Sequence, residues 1–238
     1  MKIIKLDILV LLLSLLSSPS LSETLTIDDL VETLGLYYQK FTDEPFTGKI
    51  TGIESGEFVD GVRNGPWKMY HENGRIRQRT EFSFGKLSGP TEIFYDTGHL
   101  WKKGLFVEGK QNGLWTEYYE NTQISFEGNF EFGKLVGLVT EYYKNGNLLS
   151  EENWKDGKRD GPFKMYYENG QLSVKGNQND RNMFPVSKDG RWEFFYENGQ
   201  LSRVENWKDG KKDGVFEEYL KNGTLSLRQN YKDDVLTN

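Results

Sequence analysis

Residues 161–171 read Gly-Pro-Phe-Lys-Met-Tyr-Tyr-Glu-Asn-Gly-Gln, and Leu172 follows. An aromatic run that breaks at Asn169-Gly170 and resumes on an apolar residue reads as a strand, a tight turn and a returning strand. The phrase recurs at 192–200, at 115–123 and, more loosely, at 67–75. Recurrence at a fixed period means a repeat architecture, in which each unit buries its apolar side only against its neighbours. Aligned on the glycine before each aromatic run, regular units begin at Gly65, Gly89, Gly113, Gly137, Gly161, Gly190 and Gly214 and fill residues 65–238. The spacing is 24 residues except for one of 29. A degenerate unit, 35–64, precedes them with Gly35-Leu36-Tyr37-Tyr38 and Pro45-Phe46-Thr47-Gly48. The irregular spacing falls at Asn177–Asp189, where Gln178 replaces an expected aromatic. A longer loop or bulge is expected there, since added loop length costs little.

Within a unit, Asn-Gly stands at Asn73-Gly74, Asn145-Gly146, Asn169-Gly170, Asn198-Gly199 and Asn222-Gly223, with Thr97-Gly98 and Asn121-Thr122 as degraded versions. Between strands this dipeptide predicts a two-residue type I′ turn. A second Gly-rich connection, 154–161 and its close copy 207–214, hands the chain to the next unit. A two-residue turn places Tyr167 opposite Leu172, on the side of Phe163 and Met165. The core side then holds Trp67, Trp115, Phe163, Trp192 and Phe216, the row from Tyr95 to Tyr196, the aliphatic row from Ile76 to Leu225, and Phe82, Phe106, Phe130, Trp154, Trp207 and Tyr231. The other side is polar, with one aromatic per unit: Tyr70, Phe94, Tyr118, Tyr142, Tyr166, Phe195 and Tyr219. Such a ladder either stacks ring on ring between hairpins or forms an exposed recognition strip for a protein partner.

Composition supports short strands joined by tight turns. The chain of 238 residues has 26 Gly, 14% aromatic residues and a formal net charge of −6. Aromatic richness argues against disorder, and the acidic balance argues against a nucleic-acid partner. No cysteine is present, which excludes disulfides, thiolate chemistry and Cys-based zinc sites. At the N-terminus, Lys2 and Lys5 precede the apolar run 8–16 and then the small residues Ser20 and Ser22. That run is too short to span a bilayer and fits a cleavable signal peptide over 1–22, hence periplasmic or secreted placement. No Cys follows the run, which excludes a bacterial lipoprotein. Residues 23–42 are read as a cap leading into the first unit. Thr26 and Asp29 form a capping-box pattern that predicts a short helix over 27–34, covering the open end of the array.

The units Gly-x-Trp-x-x-Tyr-Tyr-x-Asn-Gly-x-Leu, closing on Lys-Asp-Gly-Lys-x-x-Gly, resemble MORN repeats, specifically the bacterial MORN-variant, antitoxin-like type, over about residues 35–234. The resemblance implies an all-β fold: an elongated single-layer antiparallel sheet of about eight stacked hairpins. It implies scaffolding, protein binding or lipid-headgroup binding, and no chemistry of its own. An antitoxin-like role is implied by the labelling of relatives, and fits poorly with export.

Catalytic and ligand motifs are weak. The two histidines, His71 and His99, read as repeat variation. Glu117, Glu141 and Glu218 recur at matching positions of different units, so they read as a row; a glycoside-hydrolase pair is the least favoured reading. Asp156, Asp160, Asp209 and Asp213 are interleaved with lysines and arginine, which suits turns better than calcium. No metal or cofactor is expected. A second binding surface is offered by Lys155, Lys158, Arg159, Lys208, Lys211 and Lys212, clusters that attract anionic lipid or envelope surfaces. Self-association through the sheet is a further expectation.

Overall fold

The computed structural model describes residues 24–179 and 188–237. The leader over 1–22 lies outside the described residues, as does most of the irregular segment, 180–187. The strands on either side of that segment, Leu172–Asn179 and Lys188–Phe195, pair with each other as in regular units, with Gln178 opposite Lys188.

The fold is all-β. One antiparallel sheet runs from Gly48–Ile50 to Val235–Leu236, each strand pairing with its sequence neighbours. No ladder joins the first strand to the last among the described residues, so the sheet is open. Strands lie about 4.8 Å apart, so each two-strand unit advances the array by about 10 Å.

The two turns of a unit have exchanged the roles expected of them. The two-residue turns lie at the second connection, where Lys155 pairs with Lys158 across Asp156 (φ 52°) and Gly157 (φ 79°). Positive φ at both central residues defines type I′. The Asn-Gly turn is longer. The Tyr167 N–H donates to Gln171 and the Gly170 N–H back to Tyr167, and of Asn169 and Gly170 only the glycine has positive φ. This is a type I turn closed by a left-handed glycine. It shifts the register by one residue, so Leu172 pairs with Tyr166 and not with Tyr167. Asn is retained for another reason. The Oδ1 of Asn121 accepts the Gln123 N–H, and its Nδ2 donates to the Lys144 carbonyl of the next unit's turn at 2.7 Å.

The core side is built around a central row that alternates large and small residues. Trp67, Trp115 and Trp192 are almost wholly buried. Each ring lies over a glycine of the preceding strand; a Cβ on Gly56, Gly104 or Gly176 would come within 2.3 Å of it. Phe58 and Phe82 meet Trp67 edge-on, and Phe106 and Phe130 do the same at Trp115. Burying each such ring contributes about 3 kcal/mol gross. Where the second regular unit has Thr91 in place of tryptophan, the gap closes by a buried Thr80–Thr91 hydroxyl contact of 2.6 Å.

The expected N-terminal helix is absent. Thr26 and Asp29 do meet, the Asp29 carboxylate accepting from the Thr26 N–H and hydroxyl at 2.8 and 2.9 Å. They start only a single 3₁₀ turn, Ile27–Asp29. Beyond it Leu34 and Gly35 take positive φ and fold Leu30–Thr33 back on Leu36–Gln39 as a hairpin. The tight turn at Leu34-Gly35 outweighs the capping signal. Leu30, Phe46, Ile50, Phe58 and Trp67 form one buried cluster, with Leu25, Ile27 and Tyr37 packed on it.

Candidate binding surface

Strand alternation places Lys68 and Tyr70 on the face opposite Trp67, and the same parity holds through each later unit. The aromatic ladder therefore lies on the polar face, where all seven rings are half-buried. They do not stack on one another. Among the described residues no ring contact joins two ladder members, because the returning strand of each hairpin inserts a side chain between them. Arg79 lies over Phe94, its guanidinium 5.0 Å from the ring centroid. Lys103 covers Tyr118 at 5.6 Å and Lys175 covers Phe195 at 5.7 Å. Glu151 stands beside Tyr166, accepting its hydroxyl at 2.9 Å and Lys164 Nζ at 3.0 Å. The ladder is thus an alternation of rings and charges.

Most of those charges are neutralised in place: Arg79 by Glu92, Lys164 by Glu151, Lys175 by Glu193 and Arg228 by Glu217. The Glu151 carboxyl is held below its ordinary range by hydrogen bonds from Lys164 and then Tyr166, against the opposing effect of burial. The Tyr166 phenol is pushed up by burial and by the same carboxylate. At the N-terminal end of this face a cleft of about 730 Å³ opens beside Tyr70, lined by Lys49, Glu57, Lys68, Arg79, Glu81 and Glu92.

The second tyrosine of each unit has a role that sequence reading missed. Tyr95, Tyr119, Tyr143, Tyr167 and Tyr196 each donate their hydroxyl, at 2.7–2.8 Å, to the backbone carbonyl of the ladder residue in the next unit. They do not fill a core row; they lace neighbouring hairpins along the Asn-Gly edge. His71 occupies the same position and reaches the Phe94 carbonyl through Nε2 at 3.0 Å. His99 Nδ1 meets the Glu120 carbonyl at 2.7 Å. Both histidines are joined to backbone carbonyls. The opposite edge is laced too, the turn-glycine N–H groups of Gly85, Gly109, Gly133 and Gly157 donating to carbonyls one unit back.

The basic clusters divide. Arg159 turns onto Trp154 and pairs with Glu152, and Lys212 lies over Phe216 and Tyr231. Lys155 with Lys158, and Lys208 with Lys211, remain exposed as cross-strand doublets at the type I′ turns. The carboxylates of the supposed catalytic row keep separate company. Glu117 pairs with Lys102, Glu141 accepts from Ser150 Oγ, and Glu218 lines a cleft with Arg203. No group of three metal-ligating side chains occurs among the described residues.

A family model described as the MORN repeat variant matches residues 63–83, 111–131, 135–156, 159–180, 188–209 and 212–233, more than half of the chain. The chain belongs to the MORN repeat variant family. The matches skip the unit beginning at Gly89, the one with Thr91 for tryptophan and Thr97-Gly98 for Asn-Gly. No curated protein matches this MORN repeat chain. Among 48 solved chains that match is one titled "Crystal Structure of TcdB2-TccC3-TEV", at 13% identity and a TM-score of 0.21. The likeness covers 76% of this chain and 14% of that one, and is too remote to carry an argument.

Proposed function

We propose that this MORN repeat protein is an exported, non-enzymatic scaffold that binds another protein along its ladder face. The observation that supports this most is the ladder itself. Seven half-buried rings recur about every 10 Å on a face whose charges are paired among themselves. Amphipathic rings held by neighbouring side chains give contact area with little ordering cost. The alternation of ring and charge matches an extended partner segment that itself alternates apolar and charged side chains. The leader-like segment 1–22 motivates the export part of the reading.

Replacing Tyr118, Tyr142 and Tyr166 together with Ser tests it. Partner capture is expected to be lost while the far-ultraviolet circular dichroism spectrum persists. Capture that survives in a folded triple variant removes the ladder from the interface, and a variant that simply unfolds shows the rings to be structural.

A second reading rests on the exposed doublets Lys155–Lys158 and Lys208–Lys211, which suit an anionic lipid or envelope surface. Sedimentation with anionic liposomes at low salt separates the two readings, since the protein-binding reading expects no pelleting. An antitoxin-like role would be a special case of protein binding by the same face.

A further inference from the structure

The unit beginning at Gly89 departs from the others at one exposed position. Where four later units carry Ser125, Ser173, Ser202 and Ser226 and a fifth carries Leu149, it carries Trp101, and the unit before it carries Arg77. The register shift between Ile93 and Phe94 leaves Trp101 without a cross-strand partner. Trp101 is 42% exposed, far more than Trp67 or Trp115 at 1%. It lies against Tyr95, with ring centroids 5.9 Å apart and planes inclined at 37°.

The two rings form one wall of a cleft of about 640 Å³, completed by His71, Arg77, Gln78, Ile93, Phe94 and Asp96. Gln78 and Ile93 have the strand parity of Trp67, so the cleft opens on the face opposite the ladder, at the Asn-Gly edge. A smaller hollow adjoins it, sharing His71, Arg77 and Asp96 and adding Glu72 and Asn73. Among the described residues Arg77 has no carboxylate partner within ion-pair distance; its only contact of note is Nη2 to the Met69 sulfur at 3.8 Å. The His71 Nε2 is committed to the Phe94 carbonyl, which leaves Nδ1 as the free ring nitrogen.

We infer that this cleft is a carbohydrate subsite, in which a neutral pyranose lies on the Trp101 indole and exchanges hydrogen bonds with Arg77, Gln78 and Asp96. The chemistry follows from the lining. An exposed indole face offers a flat apolar platform to the C–H face of a sugar ring. The rim holds a donor-only guanidinium, an acceptor-only carboxylate and an amide that is both, the mixture that alternating hydroxyl groups satisfy. One cation against one anion favours an uncharged ligand. Nothing in the fold requires tryptophan here, because four other units complete the same bulge with serine.

The test uses the whole chain on an array of neutral glucose-, galactose-, mannose- and N-acetylglucosamine-terminated oligosaccharides, followed by isothermal titration calorimetry with any retained glycan. Trp101→Ser and Arg77→Ser both install the residue that other units carry, so the circular dichroism spectrum and thermal midpoint should match the wild type. The wild type should retain one pyranose class; Trp101→Ser should weaken binding at least tenfold and Arg77→Ser severalfold. A wild-type chain that retains no glycan overturns the inference. So does retention of a glycan with equal affinity by Trp101→Ser, which would place binding elsewhere.

Discussion

Removing the hydroxyl lacing is the most informative perturbation of the array. Tyr119, Tyr143 and Tyr167 donate to the carbonyls of Tyr142, Tyr166 and Phe195, so the triple Tyr→Phe variant deletes three inter-unit hydrogen bonds and nothing else of size. A net hydrogen bond contributes about 1 kcal/mol, and these donors are only half-buried, so water replaces part of each loss. The bonds lie in separate units and should add, giving about 1.5–3 kcal/mol for the triple variant. Urea unfolding followed by tryptophan fluorescence measures it, with a lowered midpoint at unchanged slope expected if unfolding stays cooperative. The matched control is Tyr118→Phe with Tyr142→Phe on the ladder. Phe94 and Phe195 already occupy that row, so the control should stay within about 0.5 kcal/mol of wild type. If the lacing variant is as stable as the control, the hydroxyl row does not join the hairpins and the account of the Asn-Gly edge fails.

Other outcomes follow from single contacts. Gly104→Ala and Gly176→Ala should each cost about 1–3 kcal/mol, because a Cβ meets the Trp115 or Trp192 ring at 2.3 Å; melting midpoints that match wild type would contradict this packing. Phe84 and Phe132 take φ values of 48° and 47° at type I′ turns, where Asp60, Asp156, Asp209 and Asp233 stand in other units. Replacing both with Asn should therefore raise stability by about 0.5–1 kcal/mol each, read by thermal denaturation. The depressed Glu151 carboxyl contributes stability that is present above its unfolded value near pH 4.3 and lost as pH falls through its lower folded value. Glu151→Gln should thus be less stable than wild type at pH 6, with the gap closing only as pH falls from the unfolded value through the lower folded one; a gap that stays constant on acidification would show that the Lys164 and Tyr166 contacts are not what depresses it.

Repetition made the architecture legible. The 24-residue period, the aromatic runs and the glycines suffice for an all-β array, because each unit states the same hairpin again. The core tryptophans and the ladder's face were readable from alternation alone. Turn type was not, because Asn-Gly fits both a type I′ turn and a type I turn closed by glycine, and the one-residue difference moved Leu172 from Tyr167 to Tyr166. The tyrosine lacing did leave a mark in the sequence. Five units keep a tyrosine at that position and one has histidine, all of them donors, whereas the ladder admits phenylalanine. The unit beginning at Gly214 has Leu220 at that position. The N-terminal helix was misread because Thr26 and Asp29 satisfy a capping pattern that a single 3₁₀ turn also satisfies. The Trp101 cleft needed coordinates, since it depends on a bulge that brings Trp101 against Tyr95.

The claim that the ladder face binds a protein is tested most directly by site-specific photocrosslinking in the cells that make the chain. A photoreactive phenylalanine analogue placed in turn at Phe94, Tyr118, Tyr142 and Phe195 samples the ladder. Placement at Met165 and Leu227, exposed positions with the strand parity of Phe163 and Phe216 and so on the opposite face, supplies the comparison. The account predicts one common crosslinked protein from consecutive ladder positions and none from the comparison set. Crosslinks that arise only off the ladder, or an absence of crosslinks from every ladder position, would contradict it.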